Sequence, residues 1–196
     1  MVTLLDLAFA SEALRTLTNN ARADPSGTAA RFGIDLNEGL QAGTISPAAK
    51  PPLADNPALQ KSIFAHLQVW LPQFQDPDSR SPHTDLGDGT PETRAAAAGY
   101  ENPSGVGENV EWDRDSRPIG DNLTDLITTV EQMFQNLFVD TNQAGRGHRL
   151  NILNPDYKHI GFGCGVVVGL VPTTSPKGAG ENLVLIGQDF GIPANR

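Results

Sequence analysis

Three short segments carry the side chains best suited to chemistry. His148 follows Gly145-Arg146-Gly147 and opens an amphipathic turn that Asn154-Pro155 closes. Histidine serves as a neutral metal ligand or as a proton carrier near neutral pH, and the glycines beside it permit a turn that other residues resist. His83 stands in Ser81-Pro82-His83-Thr84, and Glu108 in Gly105-Val106-Gly107-Glu108-Asn109-Val110-Glu111-Trp112. In the last segment Val106, Glu108, Val110 and Trp112 share one face of an alternating strand. An acid thus occupies a position whose neighbours expect burial, and a buried carboxylate is costly unless it gains a partner. The expectation is that His83, Glu108 and His148 meet in one cleft. Two imidazoles and a carboxylate suffice for a divalent cation such as zinc, with a position left for water, and such a set can polarise water toward hydrolysis.

Other chemistry finds less support. There is no His-Glu-x-x-His helix, no Gly-x-Ser-x-Gly turn and no phosphate-cradling glycine loop. Ser81 lies two residues before His83, too flexible a relation for a catalytic pair. Asp85, Asp88 and Thr90 alternate with glycines, but they lack EF-hand spacing and a closing glutamate, so they are read as turn formers. His66 falls in the apolar stripe Leu59, Ile63, Leu67, Trp70 and is read as a core histidine bonded to backbone. Cys164 is the only cysteine, so no internal disulfide exists; inside a Gly/Val strand it is read as a small core residue.

The elements that must position these groups follow from periodicity. Leu7, Ala10, Leu14, Leu17 and Ala21 predict a helix over about 5–22, halted by Asp24-Pro25-Ser26-Gly27. A short helical turn is expected over 29–36 and a Pro- and Gly-rich loop over 37–58. Asn56-Pro57 starts a helix that ends before Pro72, and residues 72–91 are polar and turn-rich. Thr90-Pro91-Glu92-Thr93 caps a short helix that Gly99 stops. After the strand at 105–112, Asp121 caps a long helix whose stripe runs Leu123, Leu126, Ile127, Val130, Met133, Phe134, Leu137, Phe138. Strands at 159–170 and 182–191, joined by a turn over 172–180, read as an antiparallel pair. Helices covering both apolar faces give an α/β three-layer α-β-α sandwich with a small, mainly antiparallel central sheet.

Composition bounds the partners. The 196 residues suit a single domain spanning 1–196. A net charge of -9 argues against nucleic acid, which needs a basic face, and against electrostatic binding to an anionic membrane. No apolar run reaches the ~18 residues of a membrane span. Met1 to Ala10 lacks a basic start and a continuous apolar core, so no signal peptide is visible.

Together these pieces resemble the CAP superfamily, the SCP-like domains of cysteine-rich secretory proteins, venom antigens, plant pathogenesis-related proteins and bacterial relatives. The resemblance rests on Leu17-Thr18-Asn19-Asn20-Ala21-Arg22, Leu59 through His66, Pro82-His83, Asp88-Gly89, Arg94 and Ala98-Gly99-Tyr100. It continues through Gly107-Glu108-Asn109-Val110, Gly147-His148-Arg149, Asn151-Ile152-Leu153 and Gln188-Asp189-Phe190-Gly191, and so covers nearly the whole chain. It implies a secreted, bacterial-type α-β-α domain with a central cleft of two histidines, His83 and His148, and a first glutamate, Glu108. The family's second glutamate belongs on the long helix, where its slot falls on Asn136; Glu131 is the nearest acid, outside that slot. The implied cofactor is zinc or another divalent cation, weakly held and not required. The implied partners are a lipid or other small apolar molecule, or a component of the cell envelope or host. A noncatalytic binding module ranks first, a purely structural polar cluster second, and a metal-dependent hydrolase using His83, His148 and Glu108 third. Oligomeric state is not legible in the sequence.

Overall fold

The computed structural model describes residues 8–70, 83–84, 86–101, 103–115, 123–167 and 182–194. Helix α1 (Ala8–Ala23) buries Ala10, Leu14, Thr18, Ala21 and Arg22, one stripe at helical spacing. Asp24-Pro25 ends it and at once begins α2 (Pro25–Arg31), with the Asp24 carboxylate accepting from Gly27 N and Pro25 in the first turn. The short helix therefore starts four residues before the expected 29–36. A Pro-Asp pair that stops one helix has the chemistry to cap the next.

The 37–58 loop ends in β1 (Ala54–Asp55), a two-residue strand that carries no hydrophobic pattern to reveal it. Next come α3 (Pro57–Trp70), α4 (Pro91–Ala98) and β2 (Gly105–Asp115). The chain finishes with α5 (Leu123–Val139), α6 (Gly147–Leu153), β3 (His159–Val167) and β4 (Asn182–Ile192). Thr90 caps α4 with the reciprocal bonds of a capping box, and Gly99 closes it at φ +102°. The expected Asp121 cap, Ser81, Asp85 and the 172–180 turn lie outside the described residues, as do positions 5–7 of the first helix and 71–82 of the polar stretch.

The sheet order is β1-β3-β4-β2. β1 runs parallel to β3, and the β3–β4 and β2–β4 pairs are antiparallel. On one face, Phe162, Cys164, Val184, Ile186 and Phe190 meet α1 and α5 in the main core, with Val130, Met133, Phe134, Leu137 and Phe138 of α5 all buried. On the other face Val110, Leu183 and Leu185 meet Ile63, Leu67 and Trp70 of α3. This is the three-layer α-β-α arrangement, with the sheet mainly antiparallel as the sequence predicts. Gly161 sets the spacing of α3: a Cβ there would lie 2.2 Å from the Leu59 carbonyl carbon and the Gln60 nitrogen, so helix and strand backbones touch. Buried Cys164 is a core residue, as expected. Among the described residues, no helix is long and apolar enough to cross a membrane.

Candidate functional site

β2 is an edge strand, and side chains from both layers of helices reach it. Glu108 points toward α3 and α4, because it alternates in phase with buried Val110. Its side chain is fully buried, and two donors hold it: Nδ1 of His83 gives its proton to Oε1 at 2.8 Å, and Nη2 of Arg94 donates to Oε2. A carboxylate only accepts, so the Nδ1 of His83 carries the hydrogen and, in the neutral ring, Nε2 keeps its lone pair. Burial pushes the Glu108 carboxyl up, but the His83 bond and the nearby His66 and Arg94 outweigh it and leave it below the usual glutamate range.

His66 is buried in α3, as its stripe implies, but its partner is not the backbone. Nδ1 donates to Asp88 Oδ2 at 2.6 Å, and Nε2 lies 3.7 Å from Glu108 Oε1. The expectation of a backbone-bonded core histidine is corrected here, because the segment leading into α4 brings an acid, Asp88, over the stripe. Asp88 lies two residues before the Thr90 cap, and Arg94 Nη1 holds the His83 carbonyl at 3.1 Å and the Gly89 carbonyl at 2.6 Å.

His148 comes from the other layer, on the first turn of α6. Asp140 takes its Nδ1–H at 2.9 Å through Oδ1 and its backbone N–H at 2.9 Å through Oδ2. Asp140 has φ +56° and Arg146, the residue before α6, has φ +53°, both left-handed conformations that non-glycine residues seldom adopt. Arg146 Nη1 bridges the carbonyls of Asp140, Thr141 and Gln143 and holds that loop in shape. Asn109 Nδ2 ties the His148 carbonyl to β2 at 3.2 Å, and Asn151 Nδ2 bonds the Glu108 carbonyl at 3.2 Å. The result sets the rings of His83 and His148 with centroids 6.4 Å apart, inclined by 51°.

The structure thus brings His83, Glu108 and His148 to one edge of the sheet, with Glu108 bound to His83 and a different acid, Asp140, bound to His148. Glu131 stands exposed on α5. Asn136, at the slot where the resemblance places an acid, donates to Glu111 Oε1 at 3.3 Å. Glu111 lies on the face of β2 opposite Glu108, and burial pushes its carboxyl up to about 7 against the opposing pull of Asn136 and His148. Among the described residues no set of three or more His, Cys, Asp or Glu side chains is arranged to hold a metal ion.

Sequence reasoning missed Asp140, Arg94 and Asp189 as members of this region. Asp189 left a readable signal: it alternates in phase with Leu183 and Leu185 on β4, the same pattern that singled out Glu108. Asp140 left none, since its role depends on a turn whose geometry the sequence does not display.

No family model and no curated protein sequence matches the chain. Among solved structures, NaASP2 crystallised with Zn2+ is similar over 97% of this chain and 83% of its own, with 16% identity and a TM-score of 0.51. An extracellular protein containing an SCP domain from Bacillus anthracis str. Ames aligns with 95% of this chain at 16% identity and a TM-score of 0.49. This chain spans about two fifths of that protein, covering 41% of it. At such identity the likeness concerns the fold alone.

Proposed function

We propose that this domain is an extracellular CAP-type binding module whose cleft takes a divalent cation such as zinc, weakly, between His83 and His148. One observation supports the reading above the others. Each histidine has its Nδ1 engaged by a buried carboxylate, Glu108 or Asp140, which orients the ring and leaves Nε2 as the ligating atom. Paired imidazoles suit zinc, and NaASP2, of the same fold, was crystallised with Zn2+. In this reading Glu108 holds His83 instead of serving as a third ligand, so water completes the coordination and the ion exchanges readily. The module binds instead of turning over substrate. Glu108, the acid bonded to His83, is buried and engaged by His83 and Arg94, and so is poorly placed as a general base. Half-buried Trp112, on the Glu108 face of the same strand, offers apolar surface to a lipid, another small apolar molecule or an envelope component.

Isothermal titration with zinc tests the cation site. The intact protein is expected to bind one ion, and His83→Ala and His148→Ala are each expected to lose at least ~10-fold in affinity. Equal binding by all three proteins overturns the reading.

A further inference from the structure

Glu108 and Asp189 face each other across the β2–β4 ladder, so their side chains leave the sheet on one face, toward α3 and α4. Asp189 is 0% exposed and Glu108 5%. The donors around them are shared unequally. Glu108 has His83 and Arg94, whereas neither oxygen of Asp189 has a charged donor in hydrogen-bond geometry among the described residues, and the nearby hydroxyl of Ser62 offers only a weak one. An ionised carboxylate with no donor is among the costliest groups to bury. A protonated one is itself a donor, and the acceptor beside it is Glu108. Two adjacent carboxylates do not both hold full charge.

We propose that Asp189 is the neutral acid of a shared-proton pair, donating a hydrogen bond to Glu108 and thereby fixing the position from which Glu108 holds His83. Asp189 is then a positioning residue, acting on a cleft histidine through a second acid. The other groups around the pair are Ser62 and His66 from α3, Arg94 from α4, and His83 and Asp88 from the segment before α4. Among the described residues, β3 places Gly161 opposite Asp189. Burial pushes the Asp189 carboxyl well above the usual aspartate range, and the Glu108 charge pushes it further, against weaker pulls from Ser62 and Arg94. The inference stands whether or not zinc binds.

Carboxyl-carbon NMR of the full chain reads it directly. Asp189 is expected to show the protonated resonance at about pH 6.5, where a free aspartate is ionised. Asp189→Asn keeps a neutral donor of the same shape, and Asp189→Leu removes it. The downfield proton signal of the His83 Nδ1–H in its bond to Glu108 is expected to persist in the Asn variant and to be lost in the Leu variant. A raised carboxyl also makes native stability fall as pH climbs from its unfolded value toward its folded one. The Asn variant is therefore expected to gain on the parent protein as pH rises above the unfolded aspartate value of about 3.9. An ionised Asp189 resonance at about pH 6.5, a His83 signal lost in the Asn variant, or an Asn variant that loses ground as pH rises each overturns the proposal. Should the Leu variant fail to fold, the carbon spectrum and the Asn variant decide alone.

Discussion

The Arg94 guanidinium closes on Glu108 with one nitrogen and, with another, holds the main-chain carbonyl of the histidine that Glu108 orients. One side chain from α4 therefore fixes both the acid and the segment bearing its imidazole, and ties α4's cap to the same point through Gly89. The pair is buried, so removing one partner leaves an uncompensated charge. Arg94→Met is expected to cost about 3–5 kcal/mol in chemical denaturation. Arg94→Lys should recover only part of this, because an ammonium cannot fork between carboxylate and carbonyls. Glu108 sits below its usual range, so its contribution is present at neutral pH and lost as pH falls through its folded value. Without Arg94, acid unfolding is expected to begin at higher pH.

Asp140 does for His148 what Glu108 does for His83, with the addition that it holds the helix's first turn by the backbone N–H. Asp140→Ala removes these bonds and the longer one from Arg149 N, and places alanine at φ +56°, which its Cβ resists. A loss of about 1–3 kcal/mol is expected in urea unfolding, and a zinc affinity lower by about 10–100-fold. Asp140→Asn keeps one of the two acceptor oxygens and a residue type tolerant of that conformation, so it should lose less stability than Asp140→Ala. Identical zinc binding in all three proteins would separate Asp140 from the cleft.

The contrast between Glu108 and Asp140 shows what the chain reveals on reading. Glu108 was legible because a period-two strand assigns each side chain to a face, and an acid among valines breaks the pattern. The long stripe of α5 and the cap of α4 were legible for the same reason, since local spacing dictates them. His66 was legible as buried but not as acid-bonded, because Asp88 reaches it from a segment 22 residues away. β1 escaped notice since two residues carry no period, and Asp140 since only the folded turn aims it. Proximity of the two imidazoles was an inference from likeness, and no residue between positions 83 and 148 encodes it.

Gly161 tests the layer that supports all of this. Its missing Cβ is where α3 rests on β3, with backbone atoms of Leu59 and Gln60 at 2.2 Å from the position a methyl would take. Neither helix nor strand backbone gives way as a side-chain tip would. Gly161→Ala is expected to destabilise by about 1–3 kcal/mol or more through overpacking, seen as a lower melting temperature. Displacing α3 moves His66 and Ser62 against Glu108 and Asp189, so the His83 hydrogen-bond signal should broaden as well. An unchanged melting temperature would mean that α3 sits farther from the sheet than described.

Glu111 makes the last case, from the opposite face of β2. Burial pushes its carboxyl up to about 7; the Asn136 hydrogen bond and the His148 charge pull it down, and Asp113 and Asp140 push it up by less. A raised acid binds its proton more tightly in the native state than in the unfolded chain. Its favourable contribution is therefore complete below the unfolded glutamate value of about 4.3 and is lost as pH rises through about 7. Glu111→Gln keeps the shape and a partner for Asn136 while removing the ionisation. Relative to the parent, this variant should gain stability between about pH 5 and pH 8, by about 1–3 kcal/mol once its partial exposure is allowed for. Denaturant titrations at several pH values measure the slope directly. Since Glu111 and Asp189 occupy opposite faces and share no partner, Glu111→Gln and Asp189→Asn should add; parallel pH profiles for Glu111→Gln and the parent would remove Glu111 as the source.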